Sequence, residues 1–288
     1  MTSRPVVLIA DDYALTHCIS DSILLLLAAG RLSGTGAMVT QPHWPEAAQR
    51  LAQMRGKGQA GLHLDLTVGP PLTAMPFLAP QGRFPSMPVL AAMCLVSAQA
   101  RAEVQAEVIA QIACFRAHYG AGPDFIDGHR HVHVLPGVRA AVFGALAACG
   151  SDERMWLRSV EEPLGRIWRR GVTRFKCLVI AVLSAGFAAQ ARQAGFVVNQ
   201  GFAGVRAFDA GEDFGVLMRA FLSVSGPHPL IMVHPGLAGD GLIAAVDAVI
   251  HTRPLEHAYL ASPTFADDLA AAGLRIGRLE AQLDGLPQ

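Results

Sequence analysis

The sequence predicts an α/β barrel, closed or partly closed, built from parallel strands and helical crossovers. Strand and helix signals alternate from one end of the 288-residue chain to the other. Such alternation implies parallel strands joined by right-handed crossovers. The first strand signal, residues 6–10, is a continuous β-branched and aliphatic run, as in strands buried on both faces. No Gly-rich phosphate fingerprint follows it, which favours a barrel over an open dinucleotide-binding sheet.

The elements follow in order. Residues 20–29 have helical character and Gly30 stops them. A short strand is expected over 35–40, a helix over 44–54 and a third strand over 60–66. Residues 69–87 are rich in Pro and Gly and predict a long loop. Helical periodicity covers 99–119, with Glu103 and Glu107 expected on the exposed face. A strand at 124–127 is followed by a helix that Pro136 opens. Further short strands are expected at 155–158, 196–198, 229–233 and 274–277, with helices between and after them. No repeat, low-complexity tract or linker interrupts the chain, so residues 1–288 are expected to form one domain.

Lys and Arg total 23 and Asp and Glu total 23, with a sequence pI near 7.2. That balance gives no electrostatic reason to expect a nucleic acid. Charged residues make up 16% of the chain, against about 25% in ordinary globular proteins, so the surface is less charged than most. The five cysteines (Cys18, Cys94, Cys114, Cys149 and Cys177) are scattered and form no CxxC. They point away from a disulfide framework and toward a reducing, cytoplasmic setting. The apolar start, residues 5–10, is too short for a signal-peptide core and runs straight into Asp11 and Asp12.

The longest uncharged run is 177–191, preceded by Arg166, Trp168, Arg169, Arg170, Arg174 and Lys176. It falls short of the ~20 residues of a membrane span. The preferred reading is a buried helix with a solvated basic lead-in. The alternative is a peripheral surface, over 166–191, that meets a lipid or an anionic group.

Polar residues gather where the expected strands end. Residues 126–136 read Ile-Asp-Gly-His-Arg-His-Val-His-Val-Leu-Pro. If this stretch is extended, His129, His131 and His133 share one face. Asp11 and Asp12 end the first strand, His63 lies in the third with Asp65 two residues on, Arg158 ends another, and His234 follows the apolar run 230–233. In parallel α/β barrels the carboxyl ends of the strands face one mouth. One carboxylate with two imidazoles can make a facial metal site with open positions. A second carboxylate can then act as base and a further histidine as acid. Together these residues suit amide or ester hydrolysis.

Five segments resemble the YdjC-like carbohydrate deacetylases, which include chitooligosaccharide and hopanoid-biosynthesis deacetylases. They are Ala-Asp-Asp-Tyr-Ala-Leu at 10–15, Gly-Leu-His-Leu-Asp-Leu-Thr at 61–67, Asp-Gly-His-Arg-His-Val-His at 127–133, Val-His-Pro-Gly at 233–236, and Arg253-x-x-Glu256. The resemblance implies a distorted, TIM-like (β/α) barrel related to the polysaccharide deacetylase barrels. It also implies one divalent metal ion and removal of acetyl from an N-acetylated amino sugar. By the same resemblance Asp12, His63 and His129 match metal ligands, Asp11 the general base and His234 the general acid. Arg158 is then placed to hold Asp11 ionised.

Tyr13-Ala14 stands where the family usually has Phe-Gly, and Arg130 where it usually has Gln. Residues 195–204 and the apolar stretch before them resemble the hopanoid branch, whose sugar is attached to a lipid. The expected partner is therefore an N-acetylated glycan or glycolipid. The imidazoles lean to zinc, while the carboxylate and open positions permit magnesium. A metal-dependent phosphoesterase with Arg158 and Arg130 as clamp, and a non-catalytic carbohydrate-binding homologue, stay open. So does the oligomeric state, a homodimer included.

Overall fold

The computed structural model describes residues 3–150, 155–209, 211–239 and 249–279. Its centre is a parallel sheet of nine strands among the described residues. These are β1 (Arg4–Tyr13), β2 (Gly34–Ala37), β3 (Gln59–Leu64), β4 (Phe125–Gly128), β5 (Trp156–Leu157), β6 (Val197–Val198), β7 (Phe202–Ala203), β8 (Leu230–Val233) and β9 (Leu274–Ile276). The order is β6-β5-β4-β3-β2-β1-β8-β7, with β9 pairing the start of β1.

The two edge strands, β6 and β7, belong to one short segment. Only residues 199–201 separate them, so Val198 and Phe202 lie at most ~14 Å apart. The sheet must therefore curl until its edges nearly meet, which makes the expected partly closed barrel. Asn199 stitches the seam. Its Oδ1 accepts from Ser159 N at 2.8 Å, and its Nδ2 donates to Ser159 O and Gly201 O.

Helices wrap the strands as the alternation predicts: α1 (His17–Ala28), α2 (Trp44–Ala52), α3 (Met87–Val96), α4 (Ala98–Tyr119), α5 (Val138–Cys149), α6 (Leu164–Arg170), α7 (Arg174–Ser184), α8 (Phe187–Gln193), α9 (Phe214–Ser223), α10 (Arg253–Ala261) and α11 (Pro263–Ala271). α1 begins three residues before its expected start, because the Thr16 hydroxyl caps it by accepting from Ile19 N. α3 was not foreseen. Apolar residues surround it on all sides of its axis, so it lacks the periodicity that reveals a surface helix.

Two expectations fail on packing grounds. Glu103 is half-buried and Glu107 is fully buried, not exposed. The loop between β3 and α3 carries backbone N–H groups that need acceptors. Glu107 accepts from Leu72 N, Thr73 N, Thr73 Oγ1 and Gln111 Nε2 at 2.7–3.1 Å. Glu103 accepts from Phe77 N and Leu78 N. Glu107→Ala should strip several buried donors at once. It should cost about 3 kcal/mol and lower Tm by roughly 5–10 °C. An unchanged melting curve would show that the loop holds without it.

The stretch 177–191 is not one buried helix. It splits into α7 and α8, and α7 leaves Phe175 81% and Val182 74% exposed, burying only Cys177 and Ser184. The basic lead-in is not uniformly solvated either. Arg170 is buried, donating to Glu162, Phe202 O and Val224 O. Residues 174–193 are long and apolar enough by composition to cross a membrane, but they break at Ala185 and Gly186.

Candidate metal and catalytic site

The carboxyl end of β1 builds the first part of the site. Successive strand residues normally face opposite sides of a sheet. Here Asp12 has φ 69° and the β1–β2 register shifts between Ala10 and Tyr13. Such a bulge re-aims side chains, and a left-handed Asp is tolerated better than most residues. Both Asp11 and Asp12 consequently line one cavity.

The neighbouring strands deliver the imidazoles. His63 of β3 lies level with Asp127 of β4 in the parallel register. His63 Nδ1 and Asp127 Oδ1 are 2.6 Å apart, so the ring gives Nδ1–H to the carboxylate and turns Nε2 toward Asp12 Oδ1, 3.4 Å away. His129 Nδ1 approaches the same oxygen at 2.9 Å. Gly36 of β2 makes room underneath: a Cβ there would stand 3.1 Å from both Asp127 Oδ1 and His63 Cβ.

Asp12, His63 and His129 bring their ligand atoms within 4.8 Å of one another. Asp11, His63 and Asp127 form a second such group, but a guanidinium already fills it. Arg158 is fully buried and grips Asp11 through Nη1–Oδ2 at 2.8 Å and Nη2–Oδ1 at 2.6 Å, while Nη2 reaches Asp127 Oδ2 at 2.5 Å. Arg253 Nη2 holds Asp12 Oδ2 at 2.5 Å, which leaves Asp12 Oδ1 to face the two rings.

The first group fits a divalent cation. Three buried carboxylates, Asp11, Asp12 and Asp127, face two guanidiniums, so negative charge is in excess. Burial lowers the His63 pKa. Asp127 and Asp11, with the hydrogen bonds to Asp12 and Asp127, more than offset this and raise it well above its ordinary value. That field favours added positive charge at Nε2. A carboxylate-backed imidazole is also the usual outer support of a metal-bound histidine.

The 126–136 stretch is not extended beyond Gly128. A 3₁₀ segment spans His129–Val134, with Arg130 (φ 54°, ψ 23°) and His131 (φ 59°, ψ 27°) both left-handed. Each such residue costs about 1–2 kcal/mol, a strain that structures retain at functional sites. The three histidines therefore part company. His129 meets Asp12, and His131 faces the cavity. His133 is buried, with Nε2 2.8 Å from Arg158 O. Burial pulls the His133 pKa down to about 4, so its neutral ring donates to that carbonyl and steadies Arg158.

Asp65 also leaves the site. β3 ends at Leu64, and Asp65 Oδ1 accepts from Thr67 N and Val68 N while Oδ2 accepts from Thr40.

His234 does reach the site. Its Nε2 is 3.9 Å from Asp11 Oδ2. Its backbone N–H donates to the buried Glu256 at 2.6 Å, and its ring meets the edge of Phe208. Burial draws its pKa down to about 4, although Asp12 and Asp11 push it up. The ring is therefore neutral near pH 7, contrary to the charged histidine the sequence suggested.

All six expected residues line or adjoin one cavity of about 420 Å³. Asp127 and Arg253 received no role from the sequence; the Asp12–Arg253 contact spans 241 residues. Phe208, held at φ 66° beside His234, carries no sequence signal. One wall is apolar, formed by Val179, Ile180 and Leu183 of α7 with Leu135 and Met232.

Residues 5–271 match the family described as YdjC-like protein. The chain is 30% identical to a carbohydrate deacetylase of Mus musculus over 244 residues, covering 80% of this chain and 77% of that protein. It is 29% identical to a carbohydrate deacetylase of Homo sapiens over 310 residues, with coverage of 96% and 92%. A crystal structure from Enterococcus faecalis, of a protein provisionally assigned to cellobiose-phosphate cleavage, has the same fold. It gives a TM-score of 0.72 at 18% identity, covering 97% of this chain and 99% of that one. The match over 5–271, on a barrel whose mouth gathers residues from all five of the segments singled out in the sequence, places the chain in the YdjC-like family.

Proposed function

We propose that this chain is a metal-dependent carbohydrate deacetylase, a single-domain hydrolase that removes acetyl from an N-acetylated amino sugar. The observation that carries the reading is the convergence of Asp12, His63 and His129 beside the Arg158-held Asp11 in one cavity. The relatives named carbohydrate deacetylase support it. Asp12, His63 and His129 would hold one divalent ion, zinc or magnesium. Such an ion supplies a Lewis acid for the acetamide carbonyl and acidifies water.

The chain's own residues account for the protons. Asp11, gripped by Arg158, takes a proton from the attacking water as the new C–O bond forms. His234 begins neutral and cannot open the reaction as an acid. Its Nε2 stands 3.9 Å from Asp11 Oδ2, so it would receive that proton through one bridging water, or after closing on substrate, and pass it to the amide nitrogen. The C–N bond then breaks and releases acetate and a free amine.

His234→Ala should lower amide turnover by about 10²–10³-fold while sparing p-nitrophenyl acetate, whose leaving group needs no proton. Equal loss on both substrates, with a lower melting temperature, would make His234 structural.

The phosphoesterase reading loses Arg158 from its clamp, because both terminal nitrogens are already spent on Asp11 and Asp127, and keeps only Arg130 on the cavity wall.

The apolar wall and α7 favour a sugar carried on a lipid, an N-acetylglucosaminyl hopanoid being one such substrate. Val179, Ile180 and Leu183 line the cavity, while Phe175, Val182 and Trp168 stand outside with Arg169 and Arg174. Residues 166–191 would rest on the membrane surface. Mass spectrometry of N-acetylglucosamine oligomers and of a vesicle-borne N-acetylated glycolipid, each incubated with zinc- or magnesium-loaded protein, tests both levels. Loss of acetyl from neither substrate, with turnover of p-nitrophenyl phosphate, would overturn the proposal.

A further inference from the structure

His131 is a half-buried imidazole on the cavity wall, and the proton transfers above make no use of it. Its Nδ1 is sealed from solvent and has no hydrogen-bond partner among the described residues. Among the described residues no side chain or backbone group bonds Nε2 either, yet Nε2 is not sealed. Nε2 is therefore the nitrogen that opens on the cavity. The ring is also held in place: Phe202 of β7 meets it edge-on, with centroids 5.5 Å apart and planes at 89°.

These surroundings select a tautomer. A proton on Nδ1 would be a buried N–H with no acceptor, and such orphaned donors are rare in folded proteins. The proton sits on Nε2, so the ring presents one neutral N–H donor to the cavity. The left-handed backbone at Arg130 and His131 fixes the position from which the ring meets the cavity.

We infer that His131 is a substrate-binding residue whose Nε2–H donates to a neutral oxygen of the bound amino sugar. This rests on the deacetylase reading, and it adds a residue for which that reading has no role. A neutral donor suits a hydroxyl or ether oxygen. A phosphate would be met by a cation, and Arg130 is the nearer candidate for that.

Three variants separate the donor role from a backbone role. Glutamine can place an amide N–H near the position of imidazole Nε2, whereas asparagine reaches only as far as Nδ1. Asparagine, however, accepts the left-handed backbone better. A donor role ranks His131→Gln above His131→Asn, and a backbone role ranks them in reverse. With N,N′-diacetylchitobiose, His131→Ala and His131→Asn should raise KM about tenfold with little change in kcat, and His131→Gln should restore most of the loss. Metal content by elemental analysis and Tm should match the parent in all three.

Parental kinetics in His131→Ala, or His131→Asn equal to parent with His131→Gln as poor as alanine, would overturn the inference. Calorimetric affinity for the disaccharide gives the same ranking without turnover. A parent that binds it yet releases acetate from neither the disaccharide nor the vesicle-borne glycolipid would sink the deacetylase reading alone. A parent that binds and cleaves neither would sink both.

Discussion

Arg158→Met is expected to destabilise the protein by about 3–5 kcal/mol, because it leaves two buried carboxylates without their shared cation. Asp11 and Asp127 are both almost inaccessible, and Arg158 touches each of them. The effect should depend on pH in a defined direction. Burial pushes the Asp127 carboxyl up, but Arg158 and then His63 more than offset this and hold it at about 2, below its ordinary 3.8. A depressed acid contributes stability that is present above its unfolded pKa and lost as pH falls through the folded one. The parent should therefore lose that contribution between roughly pH 4 and pH 2. The variant keeps only the His63 part of that contribution, and protonation relieves the carboxylates that have lost their guanidinium. Urea unfolding at several pH values should show a gap that is widest near neutrality and narrows into acid. A variant as stable as the parent at pH 7 would mean that the guanidinium is dispensable to the core.

Asp11→Asn should leave the fold and the metal content in place and lower kcat by about 10²–10⁴-fold, the range for loss of a general base. The amide keeps one oxygen for Arg158, so the structural cost should be well below that of Arg158→Met. A capping role for Asp11 is removed by the structure, since Thr16 caps α1. Acetate release and bound metal, measured on the same preparation, decide the matter. Parental turnover in Asp11→Asn would place the base elsewhere, whereas loss of metal along with activity would make Asp11 part of the cation site.

The sequence alone determined the class of fold and most of the residues at its mouth. Hydrophobic run length and Gly and Pro punctuation are local signals, and they were enough to mark β1, β3, β4 and β8 with α1, α2, α4 and α5. Parallel alternation then requires the strand ends to share one side, so Asp11, Asp12, His63, His129, Arg158 and His234 could be gathered without coordinates.

Tertiary structure decided what local signals do not carry. Whether Asp11 and Asp12 face together depended on a left-handed Asp12, and the fates of His131 and His133 on two left-handed residues that no alternation rule anticipates. Glu107 looked like a solvated helix face until a loop 34–35 residues away in sequence brought it three donors, beside a fourth from Gln111 of its own helix. Arg253 met Asp12 from 241 residues away in the sequence. His234 lines the same cavity as the other site residues, but burial draws its pKa down, and burial depends on everything packed around the ring. Periodicity reports which face of an element is apolar. Which buried charge meets which is a property of closure, and it exists only once the barrel has curled and its edges have come together at residues 199–201.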